Sequence, residues 1–154
     1  MSGSSEDKAA LSPSSKIEIK LVRTADVGDL IALYKDAGWW EDAYDDSPLF
    51  LEKIPKDSAL FAGAFAGEKM VGMGRALSDR ASDAYIQDIA VLKSCRGRGL
   101  GKRIVRELIR GLKEMGVDWI GLVAEPGTSL FYEKLGFREM KGYVPFKLEE
   151  SDDG

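Results

Sequence analysis

The sequence predicts one α/β (α+β) domain, built on a central, mixed and mostly antiparallel twisted sheet with one parallel pair and helices on both faces. Apolar runs of strand length recur along the chain, and helical patterns of apolar residues separate them. One strand, helix and strand follow each other in the second half, an order that gives parallel strands joined by a right-handed crossover. The chain has 154 residues, 44% of them hydrophobic, which suffices for one core but not for two ordinary domains.

The two ends of the chain differ from the rest in composition. Residues 1–15 are rich in serine and poor in large apolar side chains, so we expect a disordered N-terminal tail. Residues 16–149 are expected to form the domain. Residues 150–154 are expected to be an acidic, solvated end.

The first part of the domain predicts a strand and two helices. Residues 17–22 alternate as a half-buried strand should, and Thr24 or Asp26 can then cap a helix that ends at Gly38. Ser47-Pro48 predicts the start of a second helix, since serine suits the cap and proline the first position. The residues that this second helix is expected to direct inward are Leu49, Phe50 and Ile54.

The middle of the domain predicts three strands. Residues 60–66 and 70–77 are apolar runs joined by a short turn that contains glycine, the pattern of a β-hairpin. Residues 78–83 are polar and predict a loop. Residues 85–92 predict the next strand.

The last third predicts the parallel pair and a closing hairpin. A helix is expected from Leu100, because apolar residues recur there at helical spacing, and residues 119–123 predict a strand that returns beside residues 85–92. Thr128 can cap a short helix that ends at Gly136. Residues 137–140 and 143–148 are expected to form the hairpin.

A basic, glycine-rich turn separates the strand of residues 85–92 from the helix that starts at Leu100. Glycines let the backbone approach a ligand closely, and arginine and lysine surround that ligand with positive charge. The first turn of a helix adds unpaired N–H groups and a partial positive charge. The segment therefore predicts a phosphate site. Its residues are Arg96, Gly97, Arg98, Gly99, Gly101, Lys102 and Arg103.

Two common phosphate loops are excluded by spacing. The P-loop pattern fails because Arg103 stands where serine or threonine is required. The dinucleotide fingerprint fails because, counted from Gly97 or Gly99, the third glycine is replaced by Lys102 or Ile104.

The segment Arg96-Gly-Arg-Gly-Leu-Gly101 resembles the [RQ]-x-x-G-x-[GA] signature of the GNAT superfamily of N-acetyltransferases, with the apolar Val91 five residues upstream. Downstream, Phe131-Tyr-Glu-Lys-Leu-Gly-Phe137 is similar to the family's late helix and its Y-x-x-x-G-F ending. The two motifs cover residues 86–137. The resemblance implies an enzyme that moves the acetyl group of acetyl-CoA directly to a primary amine of a small molecule.

The resemblance also implies where acetyl-CoA binds. In this family the parallel pair of strands splays apart, the pantetheine arm enters the gap, and the glycine-rich turn binds the pyrophosphate. We expect no metal, because the chain has no histidine. The residues that match these segments are Ile89, Ala90, Val91, Arg96, Gly97, Arg98, Gly99, Leu100, Gly101, Lys102 and Tyr132.

The implied catalytic residues are Tyr132, Asp88 and Gln87. Tyr132 matches the family's tyrosine and is expected to protonate the leaving thiolate; otherwise it is a core aromatic. Many members place Glu or His nine or eleven residues before the signature, where this chain has Gln87 and Tyr85. Asp88 is the nearest carboxylate, either catalytic or structural through bonds to neighbouring backbone. Strand alternation turns it away from Gln87 unless a bulge changes the parity. Alternatively, Gln87 and Tyr85 hold a water that relays the proton.

The acceptor is expected to be an amine of a small molecule. The segment from Gly72 to Asp79 is similar to arylalkylamine-type members, which favours an aromatic amine. Arg75 and Asp79 are interpreted as an ion pair at the hairpin end, or as groups that bind a polar part of the acceptor. The candidate acceptor-binding residues are Trp39, Trp40 and Tyr85, with packing as the alternative for the tryptophans.

Composition limits the other classes of function. A net charge of −4 argues against nucleic acid as a partner, and the absence of histidine removes the usual zinc ligand. With no apolar run of membrane length and no signal core, we expect no membrane association and a cytoplasmic protein. The one cysteine, Cys95, is interpreted as incidental. Many members of the family dimerise, so a homodimer stays open.

Two alternatives stay open for the function. A non-catalytic acyl-CoA sensor would keep the phosphate turn without turnover, and the missing Glu at Gln87 favours it. An acetyltransferase that acts on a protein or peptide amine would share the same cofactor site. A general nucleotide-phosphate module is disfavoured by the two failed loop spacings.

Overall fold

The computed structural model describes residues 16–150 and divides into two compact units, with the boundary between Leu122 and Val123. The predicted N-terminal tail, residues 1–15, lies outside the described residues, as do residues 151–154. No helix of the described residues is long and apolar enough to cross a membrane.

The first unit contains a five-stranded sheet in the order β1-β2-β3-β4-β5. All neighbours pair antiparallel except β4 and β5, which are parallel, so the predicted fold class is confirmed. The strands are β1 (Glu18–Leu21), β2 (Leu60–Ala66), β3 (Lys69–Ser78), β4 (Asp83–Val91) and β5 (Trp119–Gly121). The helices of this unit are α1 (Val27–Asp36), α2 (Lys53–Asp57) and α3 (Leu100–Glu114).

Helices α1 and α3 cover opposite faces of the sheet, because successive residues of a strand point to opposite sides. On one face Leu30 and Leu33 of α1 belong to a buried cluster with Met73 of β3. On the other face Ile104 of α3 packs so closely on Gly74 that a Cβ there would lie 2.8 Å from its Cγ2. The core of the unit therefore consists of two layers with the sheet between them.

The start of α1 is set by Asp26, whose Oδ1 accepts a hydrogen bond from the Asp29 N–H at 2.9 Å. This is the predicted cap, and it satisfies one of the N–H groups that the first turn leaves unpaired. After the helix, Gly38 has a φ of 80°, a conformation that glycine adopts readily.

The second predicted helix forms as two short pieces, a 3₁₀ helix (Pro48–Glu52) followed by α2. The prediction that Leu49 and Phe50 point inward is wrong: both are exposed, while Leu51 is fully buried. Leu51 belongs to the core cluster, and the half-buried Ile54 of α2 packs against it as predicted. An α-helical period misassigns Leu49 and Phe50, because residues 48–52 form a 3₁₀ helix with three residues per turn.

The loop between β3 and β4 is organised by Asp79. Its Oδ1 accepts the backbone N–H groups of Ala81, Ser82 and Asp83 at 2.8, 2.9 and 3.2 Å. These bonds, with that of Ser82 first, lower the pKa of Asp79 to about 2. The predicted ion pair between Arg75 and Asp79 is therefore wrong, since Asp79 caps its own loop and Arg75 pairs with Asp88.

The second unit contains the short helix α4 (Ser129–Lys134), which Gly136 follows with a φ of 102°. Thr128 precedes it as predicted, although its hydroxyl donates to the Glu125 carbonyl rather than capping the helix. The predicted hairpin over residues 137–148 is wrong, because no strand lies among the described residues after β5. Its turn exists, with the Tyr143 N–H bonded to the Met140 carbonyl at 3.1 Å, but the apolar side chains beyond it are exposed. Turn chemistry alone does not form a strand without a paired neighbour.

Candidate functional site

The glycine-rich turn leads into α3 as predicted. Gly97 and Gly99 have φ values of 81° and 75°, in the left-handed region that L side chains rarely adopt. A Cβ built on either residue would meet no atom within 4 Å. The requirement for glycine at these two positions is therefore conformational and not a matter of space.

The N-terminus of α3 presents backbone donors. Arg103 N–H bonds to the Gly99 carbonyl at 3.1 Å, so the preceding amides of Leu100, Gly101 and Lys102 have no partner within the helix. Gly99 occupies the cap position and has no side chain to bond to them. An anion is the natural ligand for this arrangement.

Arg96 anchors the turn to the rest of the unit. Its Nε donates to the Val91 carbonyl at 3.0 Å, and its Nη2 lies 3.4 Å from Asp36 Oδ2 at the end of α1. The same Asp36 oxygen accepts the Lys93 N–H at 3.1 Å. Asp36 was not identified from the sequence, because a carboxylate in the last turn of a helix carries no motif. Cys95, which directly precedes Arg96, is buried.

Strands β4 and β5 part soon after they meet. The parallel pairing covers only Asp83–Tyr85 of β4 against Trp119–Gly121, and β5 then ends while β4 runs on to Val91. Beyond Tyr85, no strand of the described residues pairs with this edge of β4. The stretch includes the predicted cofactor-binding residues Ile89, Ala90 and Val91. An unpaired edge can accept an extended ligand through backbone hydrogen bonds.

A β-bulge interrupts β4 at Asp88. Met73 of β3 lies opposite Ala90, but Arg75 lies opposite Gln87, so two residues of β4 face the single Gly74. Asp88 has a φ of 56°, uncommon for a residue other than glycine. Neighbouring residues of a regular strand point to opposite faces of the sheet. The bulge interrupts this alternation, so Asp88 and Gln87 can share a face, as the sequence analysis required.

Asp88 is held by side chains from two other elements. Its Oδ2 accepts hydrogen bonds from the Tyr34 hydroxyl of α1 and from Arg75 Nε of β3, each at 2.7 Å. Arg75 Nη2 also donates to Gln87 Oε1 at 3.5 Å. Asp88 is 22% exposed and Arg75 21%. The expected structural alternative, bonds to neighbouring backbone, is thus replaced by bonds to distant side chains.

Tyr34 was not identified from the sequence, because its position on α1 fits ordinary packing. Burial raises the pKa of its hydroxyl well above the ordinary value, and the nearby Asp88 carboxylate raises it further. Tyr34 therefore stays protonated across the neutral range and donates to Asp88.

Tyr85 precedes Gln87 by two residues in β4, so both side chains lie on the same face of the sheet. Its ring is 47% exposed and tilts against Trp119 at 5.3 Å between centroids. Trp119 lies over Gly121, where an added Cβ would approach its ring to 2.4 Å. Trp119 was not identified from the sequence as a site residue, although its ring extends the apolar surface beside Tyr85.

The two candidate tryptophans after α1 are half-buried and pack against the core cluster. The Trp39 ring meets that of Tyr34 edge to face at 5.7 Å. Trp40 donates from Nε1 to Asp45 at 2.9 Å and contacts the Tyr44 ring. Packing therefore accounts for much of both side chains, and Trp39 in addition supports Tyr34.

Tyr132 lies in α4 of the second unit, between two aromatic rings. The ring centroids of Phe131 and Phe137 are 4.9 and 5.9 Å away. Burial, and secondly the charge of Glu125, raise the pKa of the Tyr132 hydroxyl. The phenol is therefore protonated at neutral pH and able to donate.

Comparison with known proteins agrees with this architecture. The model of the acetyltransferase (GNAT) family matches residues 25–137, which include the bulge, the turn and Tyr132. The chain belongs to the GNAT family. It is therefore an acetyltransferase, and acetyl-CoA is the acetyl donor of this family.

Several relatives resemble this GNAT chain. An uncharacterized N-acetyltransferase, ycf52, of Pyropia yezoensis is 32% identical over 127 residues, which is 79% of this chain and 73% of that protein. Serotonin N-acetyltransferase 2, a chloroplastic protein of rice, is 40% identical over 76 residues, 49% of this chain and 38% of its own length. Histone acetyltransferase TAP1 of soybean is 40% identical over 70 residues, 46% of this chain and 30% of its own length.

A solved GNAT family protein of Streptococcus pneumoniae superposes with a TM-score of 0.72 at 25% identity. The match covers 90% of this chain and 100% of that one. The relatives and this structure agree on fold and family, while the names of the relatives differ in the acceptor.

Proposed function

We propose that this enzyme transfers the acetyl group of acetyl-CoA to a primary amine of a small molecule. The observation that carries the proposal is the open edge of β4, which is followed by the glycine-rich turn and the first amides of α3, which have no partner within the helix. An extended arm and a phosphate group need these two features side by side, and acetyl-CoA has both.

Acetyl-CoA would bind along β4 and over the start of α3. The backbone of Ile89, Ala90 and Val91 would pair with the pantetheine arm, and one of these N–H groups would polarise the thioester carbonyl. The turn from Arg96 to Gly101 and the amide of Lys102 would bind the pyrophosphate. Arg98 and Lys102 would add positive charge.

Starting from the ammonium, the transfer removes two protons from the acceptor nitrogen and supplies one to the leaving sulfur. An alkyl ammonium has a pKa of about 10, so the acceptor must lose a proton before its nitrogen attacks the thioester carbon. We assign this to a water held by Asp88 and Gln87, since neither hydrogen bond to Asp88 uses Oδ1. The carbon–sulfur bond then breaks, Tyr132 protonates the thiolate, and the second proton that the nitrogen loses replaces the one that Tyr132 gave up. Its raised pKa keeps the Tyr132 hydroxyl protonated until that step.

An aromatic small molecule fits the surface near these groups best. Tyr85 exposes its ring on the face that carries Gln87, and Trp119 extends the apolar surface across β5. The likeness to the rice serotonin acetyltransferase favours the same class. Trp39 and Trp40 are half-buried, and the exposed parts of their rings would line the acceptor-binding surface.

Two other functions have a specific observation behind them. The likeness to a soybean histone acetyltransferase favours a lysine side chain as acceptor. The glutamine at position 87 favours a sensor that binds acyl-CoA without turnover. A cytoplasmic location and a homodimer complete the proposal, as expected from composition and from the family.

The test is coenzyme A release from acetyl-CoA with arylalkylamines, aliphatic polyamines, amino sugars and lysine peptides. We expect arylalkylamines to give the highest kcat/KM, and Tyr132→Phe to lower kcat about 100-fold with acetyl-CoA binding retained. The matched control is Tyr143→Phe, at a tyrosine of the same unit that is 75% exposed. Its kcat should equal that of the wild type.

Each contrary result identifies an alternative. Faster release with peptides than with any small amine would favour the protein acetyltransferase. Tight acetyl-CoA binding without release by any amine would favour the sensor. No acetyl-CoA binding would contradict the proposal.

A further inference from the structure

The bulge at Asp88 needs support, because a residue other than glycine in the left-handed region costs about 1–2 kcal/mol. Glycine usually occupies such a bulge position. Here the support comes from Tyr34 of α1 and Arg75 of β3, both bonded to the Asp88 carboxylate at 2.7 Å. The conformation of β4 is therefore fixed by side chains from two neighbouring elements rather than by the residue at the bulge.

Arg75 hydrogen-bonds to both residues proposed to hold the water. Its Nε donates to Asp88 and its Nη2 to Gln87, because the register places Arg75 directly opposite Gln87 while the bulge brings Asp88 to the same face. The planar guanidinium offers several donors at fixed angles, so one side chain can orient two acceptors. A lysine at this position could hold only one of them in the same geometry.

The bulge also lies at the edge where the acetyl donor is proposed to bind. Ile89 follows Asp88 directly and lies in the open stretch of β4, which runs from Ile86 to Val91. A change in the Asp88 conformation would therefore turn the Ile89 amide as well as the carboxylate. Proton removal and donor binding would depend on the same support.

We propose that Arg75 is a positioning residue of acetyl transfer, which acts through Asp88 and Gln87 and contacts neither substrate. The inference rests on the function proposed above. Arg75 holds the carboxylate and the amide in the geometry that binds the water, and Tyr34 completes the support. Its loss lowers turnover rather than acceptor affinity.

The experiment compares Arg75→Gln, Arg75→Lys, Asp88→Asn and the double variant Arg75→Gln/Asp88→Asn, with the best amine of the panel. We expect Arg75→Gln to lower kcat about tenfold, which is the effect of one charge-assisted hydrogen bond. The KM values for acetyl-CoA and for the amine should stay within about twofold of the wild type. Arg75→Lys should recover part of the loss. In the Asp88→Asn background, removal of Arg75 should lower kcat by less than about twofold, because the group through which it acts is already altered.

Arg110→Gln is the matched control. Arg110 forms ion pairs with Glu107 and Glu114 on the exposed side of α3, so this variant also removes an arginine from carboxylate partners. It should leave kcat unchanged. If Arg75→Gln folds too poorly to assay, Tyr34→Phe removes one hydroxyl from the same carboxylate and should lower kcat about threefold, again only while Asp88 is present.

Two results would overturn the inference. An equal loss of kcat in the wild-type and Asp88→Asn backgrounds would mean that Arg75 does not act through Asp88. A raised acceptor KM at constant kcat would mean that Arg75 binds the acceptor. If no amine is acetylated by the wild-type protein, the proposed function has failed. The free energies of unfolding of the wild type, Arg75→Gln, Asp88→Asn and the double variant still decide the Arg75–Asp88 coupling, and additive losses would overturn it.

Discussion

Tyr34 illustrates why a functional contact can be invisible at the scale of a residue. Its place on α1 follows the apolar stripe that also contains Leu30 and Leu33, so the spacing predicts packing alone. Its hydroxyl bonds to Asp88, 54 residues further along the chain. Local patterns carry no signal over such a separation. By contrast, the condition for Asp88 and Gln87 to share a face, a bulge, follows from strand alternation alone.

Tyr34 also predicts a pH dependence of stability. Burial, followed by the Asp88 carboxylate, raises its pKa in the folded protein above the unfolded value. The resulting stabilisation is complete below the unfolded pKa and is lost as pH rises towards the folded one. We expect the free energy of unfolding to fall above about pH 10, by less than about 1.4 kcal/mol per pH unit because the ring is partly solvated.

The measurement is urea unfolding of the wild type and Tyr34→Phe between pH 8 and pH 11. The variant should be less stable by about 1–2 kcal/mol at pH 8, where it lacks one hydrogen bond to a carboxylate, and should lose less stability above pH 10. Tyr143→Phe, at an exposed ring, should follow the wild type. Parallel curves for the wild type and Tyr34→Phe would contradict the prediction.

At the scale of elements, the sequence predicts an element correctly where that element's own residues specify it. The turn before α3 could be predicted because its glycines, basic residues and helical apolar spacing lie within one segment. The 3₁₀ helix Pro48–Glu52 could not, since five residues do not distinguish a period of three from 3.6. The hairpin over residues 137–148 failed for a different reason, because strands need a paired partner that alternation does not supply.

The turn before α3 yields a prediction for Gly99. Its φ of 75° would strain any L side chain, so Gly99→Ala should cost about 1–2 kcal/mol of stability. The same strain would redirect the first amides of α3, and we expect acetyl-CoA affinity to fall about tenfold. Calorimetric titration with coenzyme A and chemical denaturation measure the two effects.

Gly38→Ala is the control for Gly99→Ala. Gly38 has a φ of 80° and, like Gly99, nothing within 4 Å of an added Cβ, but it follows α1 rather than the turn. It should lose similar stability and keep its affinity for coenzyme A. Equal losses of affinity in both variants would show that the effect of Gly99→Ala is general destabilisation.

At the scale of the whole molecule, the family match runs across both units, while the proposed chemistry divides between them. The open edge of β4, the turn and the Asp88 bulge belong to the first unit, and Tyr132 belongs to the second. The two sequence motifs identify both segments as candidates, because each motif is short and self-contained. The support of Asp88 by α1 and β3 depends on tertiary packing, which no single segment encodes.

The end of the second unit provides a prediction about how much of the chain stabilises the fold. Phe146 is 94% exposed, whereas Phe61 of β2 is 2% exposed within the core cluster. We therefore expect Phe146→Ala to change the free energy of unfolding by less than about 0.5 kcal/mol, and Phe61→Ala to lower it by about 3–5 kcal/mol. Urea denaturation at several protein concentrations measures both. A loss above about 1 kcal/mol for Phe146→Ala that grows with protein concentration would show that a second copy covers this segment, since only association makes stability depend on concentration.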